Sequence, residues 1–302
     1  MFLITGSNGF LGRHLIKAFN DQEILAPTRQ ELNLLDYNLV NSYIKNHPIK
    51  YIIHAAGFVG GIGLHEEFPG KIAMENLRMG MNLIESSVGL EHIKLLTVST
   101  VCVYPADART PTYEDQIYDG RPEKTTGFYG LSKRMLHNLS EAYHKENKFK
   151  YITIIPTNLY GPGDHYDENK SHVIPALIKR AHSAKINNEE NISIWGSKNV
   201  IRDFLYVPDC AHWIRKAIMS DLNNEIINFG SGKGITMEDL ANLICEIVGY
   251  NGNLIWDKNK PTGAKKRLLS IEKAKSLIGY GNLVKLEDGL IKTYEDFLER
   301  NL

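Results

Sequence analysis

Two side chains four positions apart are suited to moving a proton onto a carbonyl oxygen. Tyr129 and Lys133 form a Tyr-x-x-x-Lys pattern, and this spacing puts a phenol and an ammonium on one face of a helix. The cation favours phenolate, so we expect a tyrosine that donates and accepts a proton near neutral pH. The pattern also occurs by chance on ordinary helix faces, but its position after a strand predicted at residues 95–99 argues against chance.

A glycine-rich segment at the N-terminus is typical of dinucleotide binding. It follows the first predicted strand, opens the first predicted helix and comprises Gly6, Ser7, Asn8, Gly9, Phe10, Leu11 and Gly12. Glycine permits a tight turn and close backbone approach to a pyrophosphate, while the helix N-terminus offers free N–H groups. The alternative is a tight turn without a ligand. Placement between strand and helix favours the cofactor, whose nicotinamide ribose Lys133 could hold.

Arg29 follows the second predicted strand, where the cofactor's ribose would lie. An acidic residue there suits the 2′-hydroxyl of NAD, whereas arginine suits a 2′-phosphate. Arg29 therefore predicts NADP(H). A solvated surface arginine and dual specificity remain the alternatives.

Two more predicted strands end beside residues that could touch a ligand. Strand 51–55 leads through Ala55, Ala56 and Gly57 into a glycine-rich loop, whose small residues allow close approach of cofactor, substrate or a neighbouring element. Strand 95–99 leads to Thr100, whose hydroxyl could bind a carbonyl oxygen, and to Cys102, whose thiol could touch the adjacent carbon. On local sequence alone, a small buried hydrophobic residue is the better interpretation of Cys102.

His172 lies where a helix is predicted to begin, with Ser171 as its N-cap. The positive end of a helix destabilises imidazolium, which would make His172 a readier proton donor. An exposed histidine at a helix end is the alternative, and local sequence alone favours it.

Short apolar runs alternate with segments of helical period, which predicts an α/β fold with a Rossmann-type doubly wound parallel sheet. Residues 1–161 are predicted to form an NADP-binding Rossmann domain, and residues 162–302 a smaller α/β lobe, with strands near 200–230 returning to the first domain. Predicted strands are 1–5, 23–26, 51–55, 95–99, 151–156 and 192–195; predicted helices are 12–19, 73–88, 129–145, 173–184, 209–218, 237–248 and 286–299.

Composition narrows the function classes. The 302 residues include 35 Lys+Arg and 35 Asp+Glu, so zero net charge argues against nucleic-acid binding. Three cysteines without a C-x-x-C pair predict no disulfide framework, no zinc or other metal site and a reducing, cytoplasmic location. We expect neither a signal peptide nor a membrane span.

Together, Thr-Gly-x-x-Gly-x-x-Gly at 5–12 and Tyr-x-x-x-Lys at 129–133 resemble the extended short-chain dehydrogenase/reductases. More specific stretches resemble the GDP-L-fucose synthase family, the GDP-4-keto-6-deoxy-D-mannose 3,5-epimerase/4-reductases. Cys-Val-Tyr-Pro and Ser-His-Val-Ile-Pro-Ala are the most specific, and the stretches cover nearly the whole chain: 28–36, 59–62, 102–105, 156–162, 171–177, 195–197, 202–205 and 260–263.

The resemblance implies a division of roles. NADPH would deliver hydride to the 4-keto carbon, Tyr129 would protonate the oxygen with support from Lys133, and Thr100 would hold the carbonyl. Cys102 and His172 would be the base and acid that invert carbons 3 and 5, because the ketone acidifies the protons on both neighbours.

The resemblance also extends the binding sites. It implies a GDP-sugar substrate, bound mainly by the lobe 162–302, and a homodimer formed through two helices that flank the sheet. Added to the cofactor site are Asp36, Pro156, Asn158 and Leu159. Assigned to the substrate are Val59, Asn158, Val173, Trp195, Arg202, Lys266 and Arg267.

Departures from the family put the identity of the sugar in question. Thr100 and Val101 replace serines, and residues 119–127 and 164–170 differ from the usual pattern. Alternatives are a 4-reductase alone, or an enzyme acting on a related GDP-4-keto-6-deoxy sugar such as a manno-heptose or L-colitose precursor. A different class is an inactive nucleotide-sensing protein, against which the complete set of Tyr129, Lys133 and Thr100 argues.

Overall fold

The computed structural model describes residues 1–167, 171–257 and 264–300. The strands are β1 (Phe2–Thr5), β2 (Ile24–Leu25), β3 (Tyr51–His54), β4 (Lys94–Val98), β5 (Lys150–Pro156), β6 (Asn158–Tyr160), β7 (Asn191–Trp195), β8 (Ile201–Tyr206), β9 (Glu225–Phe229), β10 (Gly234–Thr236), β11 (Asn253–Asp257) and β12 (Lys266–Arg267). The helices are α1 (Phe10–Ala18), α2 (Tyr37–Asn46), α3 (Ile62–Glu67), α4 (Pro69–Ser87), α5 (Gly127–Asn147), α6 (Val173–Ile186), α7 (Val207–Met219), α8 (Met237–Val248), α9 (Glu272–Ile278) and α10 (Leu286–Glu299).

A six-stranded parallel sheet in the order β2-β1-β3-β4-β5-β9 organises the larger part of the molecule. The chain order reverses between β1 and β3, and open α/β sheets bind ligands beside such a reversal, beyond the carboxyl ends of the strands. The fold is the predicted Rossmann-type sheet. Strand β9 comes from the second half of the chain, and the boundary at residue 161 stays a prediction.

Helices cover both faces of this sheet because its strands are apolar on both sides. In β1, Leu3 packs into a core with α2, α4 and α5, whereas Phe2 and Ile4 pack into the opposite core with α1 and α7. Side chains alternate between the faces of a strand, so one short strand contributes to both cores.

A second lobe is built around β8, which pairs with β6, β10 and β12. Strands β7 and β11 form a separate parallel pair, and α6, α8 and α10 enclose an apolar core that includes Tyr160, Ile178, Leu240 and Phe297. Among the described residues, no helix is both long enough and apolar enough to cross a membrane.

Local signals explain where the elements begin and end. Helix α8 has its predicted bounds because Thr236 accepts a hydrogen bond from the Asp239 N–H (3.0 Å) and Gly249 follows in the left-handed region. Helix α1 begins at Phe10, two residues before the prediction. The prediction of Ser171 as an N-cap was wrong, because His172 occupies that position without a side-chain capping bond.

Candidate functional site

The N-terminal glycine turn has room for backbone only. Gly6 has φ +74°, and a Cβ there would lie 2.6 Å from the Ala56 backbone nitrogen. A Cβ on Gly12 would lie 2.0 Å from the Gly6 carbonyl oxygen, and the Gly9 N–H donates to that oxygen (2.9 Å). The turn therefore packs against the end of β3 and leaves the α1 N-terminus facing the reversal of the sheet. This cradle fits a pyrophosphate.

Polar side chains brace the turn from several sides. Ser7 Oγ donates to the Ala26 carbonyl (3.3 Å), and Arg13, in the first turn of α1, donates to the Asn8 carbonyl (2.7 Å). Arg29 is exposed in the loop after β2, where a 2′-phosphate could reach it. The Asp36 carboxylate caps α2 by accepting a hydrogen bond from the Leu39 N–H (3.1 Å).

The structure buries Tyr129 and Lys133 together in α5. The Lys133 ammonium lies 6.0 Å from the Tyr129 ring centre and donates to the Val98 carbonyl (3.2 Å), which places it at the end of β4. Burial lowers the pKa of Lys133 to about 8. Burial, with a smaller contribution from Cys102, raises the pKa of Tyr129 well above its usual value.

The prediction that the environment of Tyr129 favours phenolate was therefore wrong. Desolvation disfavours the charged form of a phenol, and it outweighs the neighbouring cation that the sequence pattern emphasised. Tyr129 is a protonated phenol and thus a proton donor.

Thr100 and Cys102 occupy a tight turn directly beside Tyr129. The Thr100 Oγ1 accepts a hydrogen bond from the Cys102 N–H (3.2 Å) and so caps the 3₁₀ turn Val101–Val103. Helix α5 docks on this turn so closely that a Cβ on Gly130 would lie 2.0 Å from the Cys102 carbonyl oxygen. The turn and the helix thus hold the thiol and the phenol in one place.

Cys102 differs from the other two cysteines. Cys210 and Cys245 are buried, and burial raises the pKa of both thiols, that of Cys245 to about 11. Cys102 is only half-buried. A thiol in reach of a ligand is a better candidate for chemistry than a packed one.

An arginine lies against the Cys102 sulfur. Arg267 Nη1 is 3.9 Å from Cys102 Sγ, and Arg267 Nη2 is 3.3 Å from Glu123 Oε2. Arg267 is also opposite Arg202 in the β12–β8 pairing. Burial and, to a smaller extent, Arg267 lower the pKa of Arg202 to about 10, and Glu123 opposes this shift. Two guanidiniums, one carboxylate and one thiol thus share this part of the site.

His172 is exposed at the N-cap of α6, beside the buried Asp164. Its Nδ1 lies 3.6 Å from Asp164 Oδ1, and this interaction raises the pKa of His172, although desolvation opposes it. The expectation that imidazolium is destabilised at His172 was wrong, because the nearby Asp164 carboxylate raises the pKa of this side chain. His172 holds its proton more tightly than an ordinary histidine.

The remaining predicted residues differ in exposure and in the contacts that they make. Exposed residues are Val59, Val173, Trp195 and Lys266; Trp195 ends β7 with the Arg180 guanidinium 5.9 Å from its ring centre. Pro156 ends β5, Leu159 is half-buried in β6, and Asn158 Nδ2 donates to the Asp203 carbonyl (2.8 Å). The predicted stretch 260–263 lies outside the described residues.

Sequence reasoning missed several neighbours of these residues. Glu123 and Asp164 lie in the two stretches that depart from the family pattern, and that departure was the available signal. His65 places its ring 5.7 Å from Tyr129. His54 ends β3, shares a 3.0 Å hydrogen bond with Thr5 and stays neutral, because burial and then Lys133 lower its pKa well below its usual value.

Comparisons with known proteins agree with this geometry. Residues 2–230 match the family described as the NAD dependent epimerase/dehydratase family. The GDP-L-colitose synthase of Yersinia pseudotuberculosis is 37% identical over 99% of this chain and 98% of its own length. The GDP-L-fucose synthase of Sinorhizobium fredii is 37% identical over 98% and 94%. MlghC, a GDP-mannoheptose C4 reductase from Campylobacter jejuni solved with NADP bound, is 25% identical, with TM-score 0.87 and 98% of each chain covered.

Proposed function

Since the chain belongs to the NAD dependent epimerase/dehydratase family, we propose that it is an NADPH-dependent epimerase/reductase. It converts a GDP-4-keto-6-deoxy-hexose to the reduced sugar nucleotide by epimerisation at carbons 3 and 5 and reduction at carbon 4, with GDP-L-fucose as the favoured product. The observation that carries this proposal is the docking of the Tyr129 helix on the Cys102 turn. This docking supports the proposal because it holds a phenol suited to protonate the carbonyl oxygen close to a thiol suited to epimerise the neighbouring carbons.

The cofactor assignment rests on the glycine cradle and Arg29. NADPH, when bound, supplies the hydride for the carbonyl carbon. The backbone of residues 6–12 holds its pyrophosphate, Arg29 its 2′-phosphate and Lys133 its nicotinamide ribose. A Cβ on Gly6 or Gly12 would clash with the backbone of the turn and of the end of β3, so both glycines are needed for the turn that presents its N–H groups to the pyrophosphate.

Tyr129 and Thr100 act on the carbonyl oxygen. Because burial keeps Tyr129 protonated, its hydroxyl gives the oxygen a proton as negative charge develops there. The Thr100 oxygen already accepts from the Cys102 N–H, so its own O–H is available to donate to the same carbonyl. Lys133 supports the tyrosine from the end of β4.

Cys102 and His172 act on the carbons beside the ketone. The thiolate of Cys102 removes a proton from carbon 3 or 5, and the electron pair moves into an enolate with charge on the ketone oxygen. Imidazolium at His172 returns a proton to the other face of the carbon. The raised pKa of His172 suits the role of acid.

The test is incubation with NADPH and freshly made GDP-4-keto-6-deoxy-D-mannose in D2O, followed by NMR of the product. GDP-L-fucose with deuterium at carbons 3 and 5 is the expected result. Cys102→Ala and His172→Asn should each abolish the label. If the wild type reduces the sugar without incorporating deuterium, the protein is a 4-reductase without epimerase activity. Tight NADPH binding without turnover of any GDP-4-keto sugar would support the nucleotide-sensing alternative.

A second candidate substrate is the 3,6-dideoxy precursor of L-colitose, because a GDP-L-colitose synthase is as similar in sequence as the fucose synthase, at 37% identity. Glu123, in a stretch that departs from the family pattern, would then face a sugar without the 3-hydroxyl. Comparing kcat/KM for the two GDP-4-keto sugars and for a manno-heptose analogue decides among them.

The chain is proposed to work as a cytoplasmic homodimer. Helices α4 and α5 pack side by side and expose Met74, Met81, Leu131 and Met135. Within each helix these residues are four or seven positions apart, and so share a face. Light scattering should give a dimer that Met135→Glu converts to a monomer. Three free thiols suit a reducing compartment, which cell fractionation tests.

A further inference from the structure

The buried carboxylate of Asp164 lies beside the exposed His172, with 3.6 Å between Oδ1 and Nδ1. We propose that Asp164 is a positioning residue that keeps His172 protonated and orients its ring as the acid of epimerisation. This inference rests on the proposed function for its catalytic consequence, whereas the coupling between the two side chains can be measured without a substrate.

The geometry of Asp164 suits this role. Its side chain is 1% exposed, and Oδ1 accepts from the His165 N–H (2.7 Å) while lying 3.6 Å from His172 Nδ1. Its second carboxylate oxygen, Oδ2, is buried and has no hydrogen-bond partner among the described residues. A buried carboxylate with an unsatisfied oxygen is costly unless a charge compensates it. A protonated imidazole beside it supplies that charge.

The loop that carries Asp164 is anchored from two helices. Arg300 donates to the Asp164 carbonyl (3.0 Å), and Asp296 of α10 accepts from the Gly163 N–H (2.8 Å). Arg13 of α1 donates to the Gly163 carbonyl. These hydrogen bonds to the backbone of residues 163 and 164 therefore hold Asp164 in place independently of His172.

The charges near the pair leave Asp164 as the dominant influence on His172. Arg300 and Asp296 form an ion pair with each other (3.2 Å). The N-terminus of α6 disfavours imidazolium, yet the pKa of His172 is raised, with the Asp164 hydrogen bond as the first cause. The carboxylate thus overrides the helix dipole.

Ring orientation follows from the same contact. With Nδ1 directed at Asp164, Nε2 lies on the opposite side of the imidazole, where the exposed side chain can meet a sugar. Proton transfer then runs from Nε2 to the carbon, and the imidazole that remains is neutral. Asp164 keeps its charge throughout and helps the ring to take up the next proton from water.

The test is a pH titration of the His172 imidazole by NMR in the full-length protein without substrate, with the signal assigned by its loss in His172→Asn. The wild-type pKa should lie above 6.5, and Asp164→Asn should lower it. In D2O with NADPH and the GDP-4-keto sugar, the same variant should label carbons 3 and 5 on the order of tenfold more slowly at pH 7. The deficit should grow as pH rises.

Asp288→Asn is the matched control, because it removes an exposed carboxylate from α10 with the same change in charge. NADPH affinity and thermal unfolding report whether Asp164→Asn is folded. If that variant does not fold, the wild-type titration alone decides, and a pKa at or below 6.5 overturns the proposal. A folded Asp164→Asn with unchanged pKa and labelling also overturns it. Failure of the proposed function is distinguishable, because the wild type would then show no labelling while the two side chains still titrate as a pair.

Discussion

Two regions meet at the site and are built in different ways. The cofactor edge, formed by Gly6, Gly12, Tyr129 and Lys133, is held by backbone approach and burial. The proposed sugar face comprises two sets of contacts, that of Arg267 with Cys102 and Glu123 and that of His172 with Asp164, and both sets are held by charged side chains. The close backbone contacts leave no space for an added side-chain atom, whereas the strength of a contact between charged side chains can change without a steric clash. Changes at the edge should therefore abolish function, and changes at the sugar face should alter rates and preference.

Gly12→Ala should have the largest effect on the cofactor edge. Its Cβ would lie 2.0 Å from the Gly6 carbonyl oxygen, so the turn must open and the pyrophosphate cradle is lost. We expect NADPH affinity to fall more than about a hundredfold, since the helix N-terminus and the close backbone approach both contribute. Fluorescence titration with NADPH measures this.

Gly63→Ala is the control, because a Cβ there meets nothing within 4 Å. Normal NADPH affinity in Gly12→Ala would show that the glycine turn is not the cradle.

Tyr129→Phe separates the two regions. It removes the proton donor and leaves Cys102 and His172 in place. Reduction should fall by about 10³-fold, within the range of general acid catalysis, while deuterium still enters carbons 3 and 5. NADPH oxidation and NMR on the same samples measure the two reactions. Equal loss of both would mean that the regions do not act separately.

Lys133→Met measures how much the burial of the Lys133 ammonium at the cofactor edge lowers the free energy of unfolding. Because the pKa of Lys133 falls to about 8 in the folded protein from 10.5 unfolded, the unfolded chain binds more protons between these values. The free energy of unfolding should therefore rise with pH from about 8 towards 10.5, by about 3 kcal/mol in all. Comparing urea unfolding of wild type and variant at pH 7 to 10 isolates this contribution. Parallel curves would contradict it.

Much of the fold follows from local patterns. The bounds of α8 and α10 agree with the prediction because apolar periodicity and, in α8, the Thr236 cap act within one segment. The motif of the glycine turn is local in the same sense, since it lies within seven residues, although the turn also packs against Ala56 after β3.

The sugar face depends on contacts between distant residues. Glu123 and Arg267 are 144 residues apart, and no spacing rule links them. Asp164 is close to His172 in sequence, yet the loop that carries it is held by Arg300 and by Asp296 of α10, more than 130 residues away. Burial also reversed the expectation for Tyr129, because desolvation depends on the whole fold.

Glu123→Gln should have the smallest effect and tests whether charge tunes the sugar face. The Glu123 carboxylate holds the Arg267 guanidinium, which contacts the Cys102 sulfur. Without this carboxylate, we expect repulsion from Arg202 to move the Arg267 guanidinium. A half-buried pair of this kind is worth about 1 kcal/mol, so labelling of carbons 3 and 5 should slow roughly fivefold while NADPH affinity stays unchanged. Glu141→Gln, which breaks an exposed pair with Lys145 on α5, is the control. A loss of NADPH affinity in Glu123→Gln would mean that the two regions share this contact, and the division between edge and face would then be wrong.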